Sequence, residues 1–317
     1  MRLRTEGSIY DLHTKRFSGS FENKTSFDAL YESYIDQWRL GDAAQKAGEG
    51  ATALESGRVL FFPSLRFVIE PGELKLFTPS ILGGAKNVSF DPRTGRLSAK
   101  QSTGSDAGTL QSLMQRFSAS ASALVDGLLP SYRGAIAQAR ASFRPAEIAG
   151  RVTSWRKDDS RLHVDSFPAT PSGGRRILRV FTNVNPEGRA RSWRIGADFE
   201  PVAQRFASTL SVPLPGSGYL LALLRITKTP RSAYDALMLQ LHDAMKRDNE
   251  FQKTTPQTAF DFPAGSTWMA FTDQVGHAAM AGQYQLEQTF LLPVNAMSDP
   301  QRSPLRVLER LKGRRLA

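Results

Sequence analysis

Three residues of this 317-residue chain have the types and spacing of a metal site. His163 and Asp165 stand two positions apart in the run RLHVDSF, so on a β-strand both side chains point to the same face. His277 lies later, between two strand-like runs. Two histidines and one carboxylate form the facial triad of non-haem Fe(II) oxygenases, which leaves open positions on the metal. The alternative is that His163 is a surface histidine paired with Asp165 and that His277 is a loop residue.

The composition restricts which metals the chain can bind. It contains no cysteine and four histidines, which excludes disulfides, thiol catalysis, iron–sulfur clusters and cysteine-ligated zinc. A metal site must therefore use histidines and carboxylates. The two remaining histidines, His13 and His242, stand in no ligand pattern. An iron site of the facial type agrees with this composition because it needs no thiolate.

Positive charge is concentrated in one part of the chain. The formal net charge is +11, and residues 133–194 alone carry thirteen Arg and Lys against five acidic residues. Arginine predominates, and its planar fork suits carboxylates and phosphates. This pattern predicts a site for a multiply anionic partner, such as nucleic acid, a phosphosugar or anionic lipid. A solvated basic face with internal ion pairs is the alternative.

The last fifteen residues form a second basic cluster. Leu305, Leu308 and Leu311 recur every three residues, which permits a short amphipathic helix on an anionic membrane surface. The residues between them are mostly basic: Arg306, Arg310, Lys312, Arg314 and Arg315, with one acid, Glu309. A solvated, frayed terminus is the alternative, and without other evidence it is the preferred one.

Neither a signal peptide nor a membrane span is predicted. The N-terminus lacks an apolar core segment. The longest strongly apolar stretch, Tyr219–Leu224, is far shorter than the roughly 20 residues that cross a bilayer. We therefore expect a cytoplasmic protein.

The elements that would position the candidate ligands are mostly strands. Apolar residues at a 3.6 period predict a helix over 109–129, ended by Pro130, and further helices over 131–141 and 232–249. The runs RLHVDSF, RRILRVFTNVN and RSWRIGADF predict strands. We expect an α+β protein with a jelly-roll core and helices packed on it. Residues 1–107 are predicted to form an N-terminal α/β extension and 108–317 the helices and barrel of the core, within one continuous domain.

A long run around the candidate ligands resembles a known family. RVTSWRKDDSRLHVDSFPATPSGGRRILRVFTNVNPEGRARSWRIG is similar to the 3-deoxy-D-manno-oct-2-ulosonic acid (Kdo) hydroxylases, which belong to the Fe(II)/2-oxoglutarate-dependent dioxygenases. VLFFPSLRFVI, LLPSYRGAI and FTDQVGHAAMAGQYQLEQTF support the likeness. It extends from about Gly48 to Pro293 and is far longer than the bare triad.

The resemblance implies a fold, a reaction and a location. The fold would be a double-stranded β-helix of the cupin-like jelly-roll type, with Fe(II) held by His163, Asp165 and His277. 2-Oxoglutarate and O2 would be cosubstrates, and ascorbate a stimulant. The enzyme would 3-hydroxylate the Kdo of Kdo-lipid A to the sugar Ko, with release of succinate and CO2. It would act at the cytoplasmic face of the inner membrane, bound peripherally to an anionic surface, and nucleic acid is not an expected partner.

The cosubstrate anchor departs from a common pattern of the superfamily. Many relatives place an arginine about ten residues past the distal histidine, but here that region reads QYQLEQTF, with Gln288 among its polar residues. In RRILRVFTNVN, Arg179 and Asn183 share one strand face. We predict that Arg179 points inward and clamps the carboxylate, with Asn183 and Gln288 assisting. If that face points outward, Arg179 lies in solvent.

Four residues are predicted to bind the sugar substrate: Arg144, Arg156, Arg191 and Trp193. The arginines would meet the carboxylate of Kdo and the phosphates of lipid A, and Trp193 offers a flat face to a sugar ring. Taken singly, each is better explained by a structural role, and the assignment rests on the four as a group. Two further functions stay open at this point. One is a 2-oxoglutarate oxygenase acting on nucleic acid, and the other is a non-catalytic barrel that binds anionic glycolipid.

Overall fold

The computed structural model describes residues 10–11, 30–32, 47–83, 85, 87–98 and 104–317. His13 lies outside these residues. Within them the chain forms twelve β-strands and seven α-helices. The strands are β1 (Tyr10–Asp11), β2 (Leu30–Glu32), β3 (Val59–Phe62), β4 (Val88–Asp91), β5 (Arg96–Leu97), β6 (Ala137–Arg144), β7 (Arg176–Asn183), β8 (Arg191–Gly196), β9 (Gln257–Phe262), β10 (Thr267–Phe271), β11 (His277–Ala281) and β12 (Gln285–Leu292). The helices are α1 (Ala47–Glu55), α2 (Ala107–Leu128), α3 (Phe199–Phe206), α4 (Ser217–Leu223), α5 (Ala233–Arg247), α6 (Asn249–Thr254) and α7 (Pro304–Lys312).

Two sheets form the core. The larger has the order β1-β2-β3-β10-β7-β12-β6-β4-β5, and the smaller has the order β11-β8-β9. The sheets face each other across a shared apolar interior, where Phe181 and Trp268 of the large sheet pack with Trp193, Ile195 and Phe262 of the small one. This arrangement confirms the predicted α+β class and its jelly-roll core.

The outer face of the large sheet is covered by helices. Val180 of β7 and Met269 of β10 share one apolar cluster with Leu124 of α2, Leu241 of α5 and Leu308 of α7. The strands that precede residue 107 hydrogen-bond into this same sheet, so β3, β4 and β5 extend the barrel wall. The division of the chain at residue 107 stays a prediction.

Helix α2 confirms the helix that periodicity predicted over 109–129. Its apolar face is buried along its whole length, from Leu110 to Leu128, and Pro130 follows its end. The helix predicted over 131–141 is wrong. Residues from Ala137 onward form β6, which pairs with both β4 and β12. Two flanking strand edges supply hydrogen bonds at this position, and this tertiary pairing overrides the weak local helix preference.

The segment RLHVDSF, which was predicted to be an extended strand, is extended but too little paired to form a full strand. It is an extended segment joined to the start of β11 by an isolated antiparallel bridge between His163 and His277. The Asp165 N–H then donates to the carbonyl of Thr272 at 2.7 Å. The residues Asp158–Ser160 turn the chain into this segment, because the Asp158 carboxylate accepts from the Ser160 N–H and hydroxyl.

The C-terminal cluster is an ordered helix. Ser303 caps α7, and the helix buries Leu305, Val307 and Leu308, which belong to the main apolar cluster. The preferred expectation of a frayed terminus is therefore wrong. Because these leucines pack against the protein, they are not available to insert into lipid. In the described part of the chain, no helix combines the length and apolar character that spanning a membrane requires.

Candidate metal centre

His163, Asp165 and His277 converge at one end of the barrel interior. Each offers a ligand atom, and these atoms lie within 4.8 Å of one another. Both histidines are buried, and the backbone bridge between them sets the separation of their side chains, with ring centroids 4.7 Å apart. Leu162 is fixed beside them because the Gln252 side chain bonds both its N–H and its carbonyl. The predicted triad is thus brought together by the fold.

Both histidine rings are oriented so that Nε2 is left for a metal. Nδ1 of His163 donates to the carbonyl of Arg161 at 2.7 Å, and Nδ1 of His277 donates to that of Val275 at 2.9 Å. A carbonyl can only accept, so the proton resides on Nδ1 and the Nε2 lone pair is free to coordinate. Burial lowers the pKa of both imidazoles, which favours the neutral form that binds metals.

Asp165 is the candidate anionic ligand. Burial alone would raise its pKa, but Arg179 and the two histidines outweigh that effect and hold the pKa of the carboxyl below its ordinary value. Its Oδ2 is buried and makes no hydrogen bond, although Arg179 Nη2 lies 3.2 Å away. A buried, ionised and incompletely satisfied carboxylate oxygen beside two oriented histidines fits a divalent metal.

Three arginines line the interior next to this triad. Arg179 on β7 lies opposite Ala270 of β10, which belongs to the interior cluster, so its predicted inward orientation is confirmed. Arg144 at the end of β6 pairs in register with Gln285, and Arg191 begins β8. Arg144 and Arg179 lie on the inner face of the large sheet, and Arg191 lies on the small sheet that faces it.

Glu287 connects two of these arginines, and the sequence reasoning did not identify it. Arg144 donates to both of its carboxylate oxygens, at 2.9 and 3.0 Å, and Arg179 Nη1 lies 3.5 Å from one of them. Glu287 stands ten residues past His277, where many relatives of the superfamily carry an arginine. The sequence therefore carried a signal for this contact: an acidic residue stands at this position of β12, and the arginines stand on β6 and β7.

Trp193 lies beside His277, and Arg191 precedes it by two residues on the same face of β8. The Trp193 ring stacks on His277 with centroids 5.2 Å apart. Arg191 Nη1 donates to the carbonyl of Gly282 at 2.6 Å, and burial together with Arg144 lowers the pKa of Arg191 to about 9. Arg191 Nε and Trp193 Nε1 are both buried without a hydrogen-bond acceptor. An unsatisfied indole N–H next to His277 and an unsatisfied guanidinium N–H on the same strand face fit an anionic group bound in the interior.

Comparison with known proteins decides the family. A sequence profile described as 3-deoxy-D-manno-oct-2-ulosonic acid (Kdo) hydroxylase matches residues 37–315. The chain belongs to the Kdo hydroxylase family. No curated protein sequence matches it significantly.

Solved structures of a Kdo hydroxylase, KdoO, are closely similar. KdoO is described as a non-haem Fe(II) α-ketoglutarate-dependent dioxygenase, and its complex with cobalt(II) is 48% identical with a TM-score of 0.88. That alignment covers 91% of this chain and 97% of KdoO. The KdoO complexes with α-ketoglutarate and Fe(III) and with succinate and Fe(III) are 47% identical, each with a TM-score of 0.87 and with the same coverage of both chains.

Two predicted cosubstrate residues of this Kdo hydroxylase family member, Gln288 and Asn183, have their polar groups bonded away from the triad. Gln288 is opposite Val180, on the helix-covered face of the sheet, where it bonds Ser118 of α2. The prediction that Gln288 faces the cosubstrate therefore needs correction, because adjacent residues of a strand point to opposite faces. Asn183 shares the face of Arg179, but its amide donates to the carbonyls of Arg189 and Phe262.

Arg156 lies at the surface beside the centre. It pairs with Asp243 at 3.0 Å and is more than half exposed, and its guanidinium stacks on Trp155. The neighbouring His242 was given no role from sequence. The fold places its ring 5.2 Å from that of His163 in an edge-to-face contact, because α5 turns this side chain toward the triad.

A cleft of about 360 Å³ opens near the arginines. Its lining includes Arg151, Lys157, Asp158 and Asp159, and Asp159 lies 3.8 Å from Arg144. The cleft therefore adjoins the charged side chains of the barrel interior. This is a suitable position for a polar substrate that must reach the triad from solvent.

Proposed function

We propose that this chain is an Fe(II)/2-oxoglutarate-dependent dioxygenase that 3-hydroxylates the Kdo sugar of Kdo-lipid A, forming Ko, succinate and CO2. One observation carries the proposal. Two buried histidines with free Nε2 atoms and one partly buried carboxylate converge on a single point, beside Arg179, whose Nε lacks an acceptor, in a member of the Kdo hydroxylase family.

His163, Asp165 and His277 would hold the iron. When bound there, the iron would supply the redox chemistry of O2, with 2-oxoglutarate as the two-electron reductant. The protein's own residues prepare the site. The carbonyls of Arg161 and Val275 hold the imidazole protons on Nδ1, and Arg179 keeps Asp165 ionised. The apolar side chains around Trp193 and Phe262 exclude water from the interior.

The cosubstrate carboxylate requires a cation in the interior, and two arginines are suited to bind it. Arg179, the anchor proposed from sequence, faces the interior but already contacts Asp165 and Glu287. Arg191, first assigned to the substrate, bonds only a backbone carbonyl in the described structure, and the Nε atoms of both arginines lack an acceptor. We extend the anchor to Arg191, with Arg179 and Arg144 completing a cationic wall.

The substrate and its location follow from charge. Kdo bears a carboxylate and lipid A bears phosphates, so an arginine-lined interior with a basic cleft suits such an anionic glycolipid. Arg144, Arg156, Arg191 and Trp193 remain the sequence-based candidates for contacting it. We place the protein at the cytoplasmic face of the inner membrane, because its lipid-anchored substrate and its net charge of +11 favour an anionic surface.

An anaerobic reconstitution tests this function. The purified protein is loaded with Fe(II) and 2-oxoglutarate, exposed to O2, and succinate is followed with Kdo-lipid A, with methylated DNA and with neither. We expect coupled succinate formation and a product heavier by one oxygen atom with Kdo-lipid A alone. Coupled turnover with methylated DNA only would establish the nucleic-acid function instead, and glycolipid binding without turnover would establish a non-catalytic barrel.

Removal of one ligand should abolish this activity. We expect His163→Ala to lose tight Fe(II) binding and to reduce succinate formation to background, because two protein ligands no longer define the facial set. Isothermal titration with Fe(II) and the succinate assay measure the two effects. His13→Ala, at a histidine outside any ligand pattern, is the matched control and should retain both. Full turnover by His163→Ala would refute the assigned triad.

A further inference from the structure

The segment from Leu214 to Arg231 exposes an unusual amount of apolar surface. Nine large hydrophobic side chains are exposed in the described part of the chain, and six of them lie between residues 214 and 226. Their exposures range from 55% to 81%: Leu214, Tyr219, Leu220, Leu223, Leu224 and Ile226. Single exposed apolar residues are common, but a contiguous group marks an interaction surface.

The fold builds this surface as a compact turn. Helix α4 lies directly against the backbone of the returning chain, because a Cβ at Gly218 would stand 2.0 Å from the carbonyl oxygen of Arg231. The N–H groups of Ile226 and Thr227 both donate to the carbonyl of Leu221. The side chains of the helix are thus held outward by close backbone packing, and α4 has no buried residue.

Charge indicates what this surface contacts. The segment carries Arg225, Lys228 and Arg231, and no acidic residue occurs between positions 201 and 234. Apolar side chains bordered by cations suit the interface of an anionic bilayer. A symmetric dimer through the same face would place identical cations against one another without acidic partners. The charge pattern therefore favours a bilayer over a second copy.

The surface is attached to the rim of the metal centre. The N–H of Lys228 donates to the carbonyl of Ala169 at 2.9 Å, and Arg231 donates to that of Pro168 at 2.6 Å. These carbonyls belong to the loop that leaves the ligand Asp165. The same loop carries Phe167, whose ring lies 5.5 Å from the Arg179 guanidinium. A bilayer in contact with this segment would adjoin the loop that leads to the triad.

We propose that residues 214–231 form a docking surface for an anionic lipid bilayer, in which the exposed leucines enter the interface and the cations contact lipid headgroups. The role of this surface rests on the proposed function, because a docked protein would present a membrane-anchored sugar to the metal centre. This surface, and not the C-terminal helix, makes the apolar contact with the bilayer, because the leucines of α7 pack inside the protein.

Vesicle co-sedimentation tests the docking surface. Wild type is compared with the triple variant Leu220→Ser/Leu223→Ser/Leu224→Ser on vesicles of phosphatidylcholine with phosphatidylglycerol and on vesicles of phosphatidylcholine alone. We expect the triple variant to lose about tenfold or more in partitioning onto the anionic vesicles. Val68→Ser/Leu74→Ser, at exposed apolar residues elsewhere, is the matched control and should bind as wild type does.

The contribution of charge is tested separately. We expect Arg225→Gln and Lys228→Gln each to weaken binding to the anionic vesicles by about fivefold, with no change on phosphatidylcholine alone. The control pair is Arg93→Gln and Arg96→Gln, which neutralises exposed cations before α2. Thermal melting of every variant should match wild type, because the substituted side chains are exposed.

Three outcomes would overturn the docking surface. The first is failure of the wild-type protein to bind anionic vesicles, and the second is binding of the triple variant as tight as that of wild type. The third is a dimer in lipid-free buffer that the triple substitution dissociates without any loss of vesicle binding. The last would identify a second copy as the occupant. The vesicles contain no Kdo glycolipid, so this experiment is independent of the enzymatic proposal. Absence of succinate formation with intact vesicle binding would contradict the proposed function alone.

Discussion

At the scale of single residues, the arginines of the barrel interior differ in how well their charge is compensated. Arg144 contacts Glu287 and Asp159, and Arg179 contacts Asp165 and Glu287. For Arg191, by contrast, no carboxylate oxygen lies within 4.0 Å among the described residues, and burial lowers its pKa. A buried cation without an anion is costly unless a ligand supplies one.

The two candidate anchors should be separable by kinetics. We expect Arg191→Met to raise the KM for 2-oxoglutarate about 10- to 100-fold, because a charge-assisted hydrogen bond to a carboxylate is lost, with Fe(II) affinity unchanged. Arg179→Met should weaken both, since Arg179 also faces the ligand Asp165. Initial rates at varied 2-oxoglutarate and varied Fe(II) measure this, with Arg93→Met as the exposed control. An unchanged KM in Arg191→Met would remove that residue from the anchor.

At the scale of elements, one buried ion pair joins the start of β7 to the turn that leads into β11. Arg176 Nε donates to Asp273 at 2.7 Å, and both side chains are essentially inaccessible. The same guanidinium bonds Gln274 and lies over the Phe271 ring. Burial raises the pKa of Asp273 in spite of this pairing, so desolvation offsets much of the attraction. Loss of one partner would leave the other charge buried and uncompensated.

This pair should therefore be sensitive to single substitution. We expect Asp273→Asn to lower the free energy of unfolding by about 3–5 kcal/mol, the cost of an uncompensated buried cation. Urea denaturation followed by circular dichroism measures it. Glu187→Gln, which breaks an exposed pair with Arg189, is the control and should change stability by less than about 1 kcal/mol. Equal small effects in both variants would contradict the assigned cost.

The elements also show where local sequence was a sufficient guide. The 3.6-residue period predicted α2, and Ser232 with Asp235 forms the capping box at the start of α5, as expected for a helix beginning there. The strand β6 was misassigned because its pairing partners, β4 and β12, are distant in sequence. The conformational propensity of residues 137–144 cannot predict strand pairing that forms only when the sheet assembles.

At the scale of the whole molecule, Glu55 joins three regions of the chain. Its carboxylate accepts from the Tyr132 hydroxyl at 2.7 Å and from the N–H groups of Ser298 and Asp299, both at 2.8 Å. Glu55 is buried at the end of α1, so these bonds connect the N-terminal helix to the end of α2 and to the segment before α7. The helical layer outside the barrel depends on this junction.

Removal of this carboxylate should weaken the whole fold. We expect Glu55→Ala to reduce the free energy of unfolding by about 3 kcal/mol, because two backbone N–H groups and a hydroxyl lose their acceptor in a buried site. Chemical denaturation measures the change. Asp261→Ala, at an exposed position of β9, is the control and should stay within about 0.5 kcal/mol of wild type. A Glu55→Ala variant as stable as that control would show that the junction is dispensable.

The sequence by itself supplied the candidate ligand set and the chemistry it permits. His163 and Asp165 were identifiable because residue type and short-range spacing are local properties, whereas His277 was chosen by its setting between two strand-like runs. The missing cysteines removed iron–sulfur clusters and cysteine-ligated zinc. Only the tertiary structure decided that Arg179 faces the triad, that Gln288 faces α2 and that Glu287 bridges Arg144 and Arg179. These contacts depend on the register between strands that lie about a hundred residues apart. A register shift of one residue would exchange the two faces of the sheet.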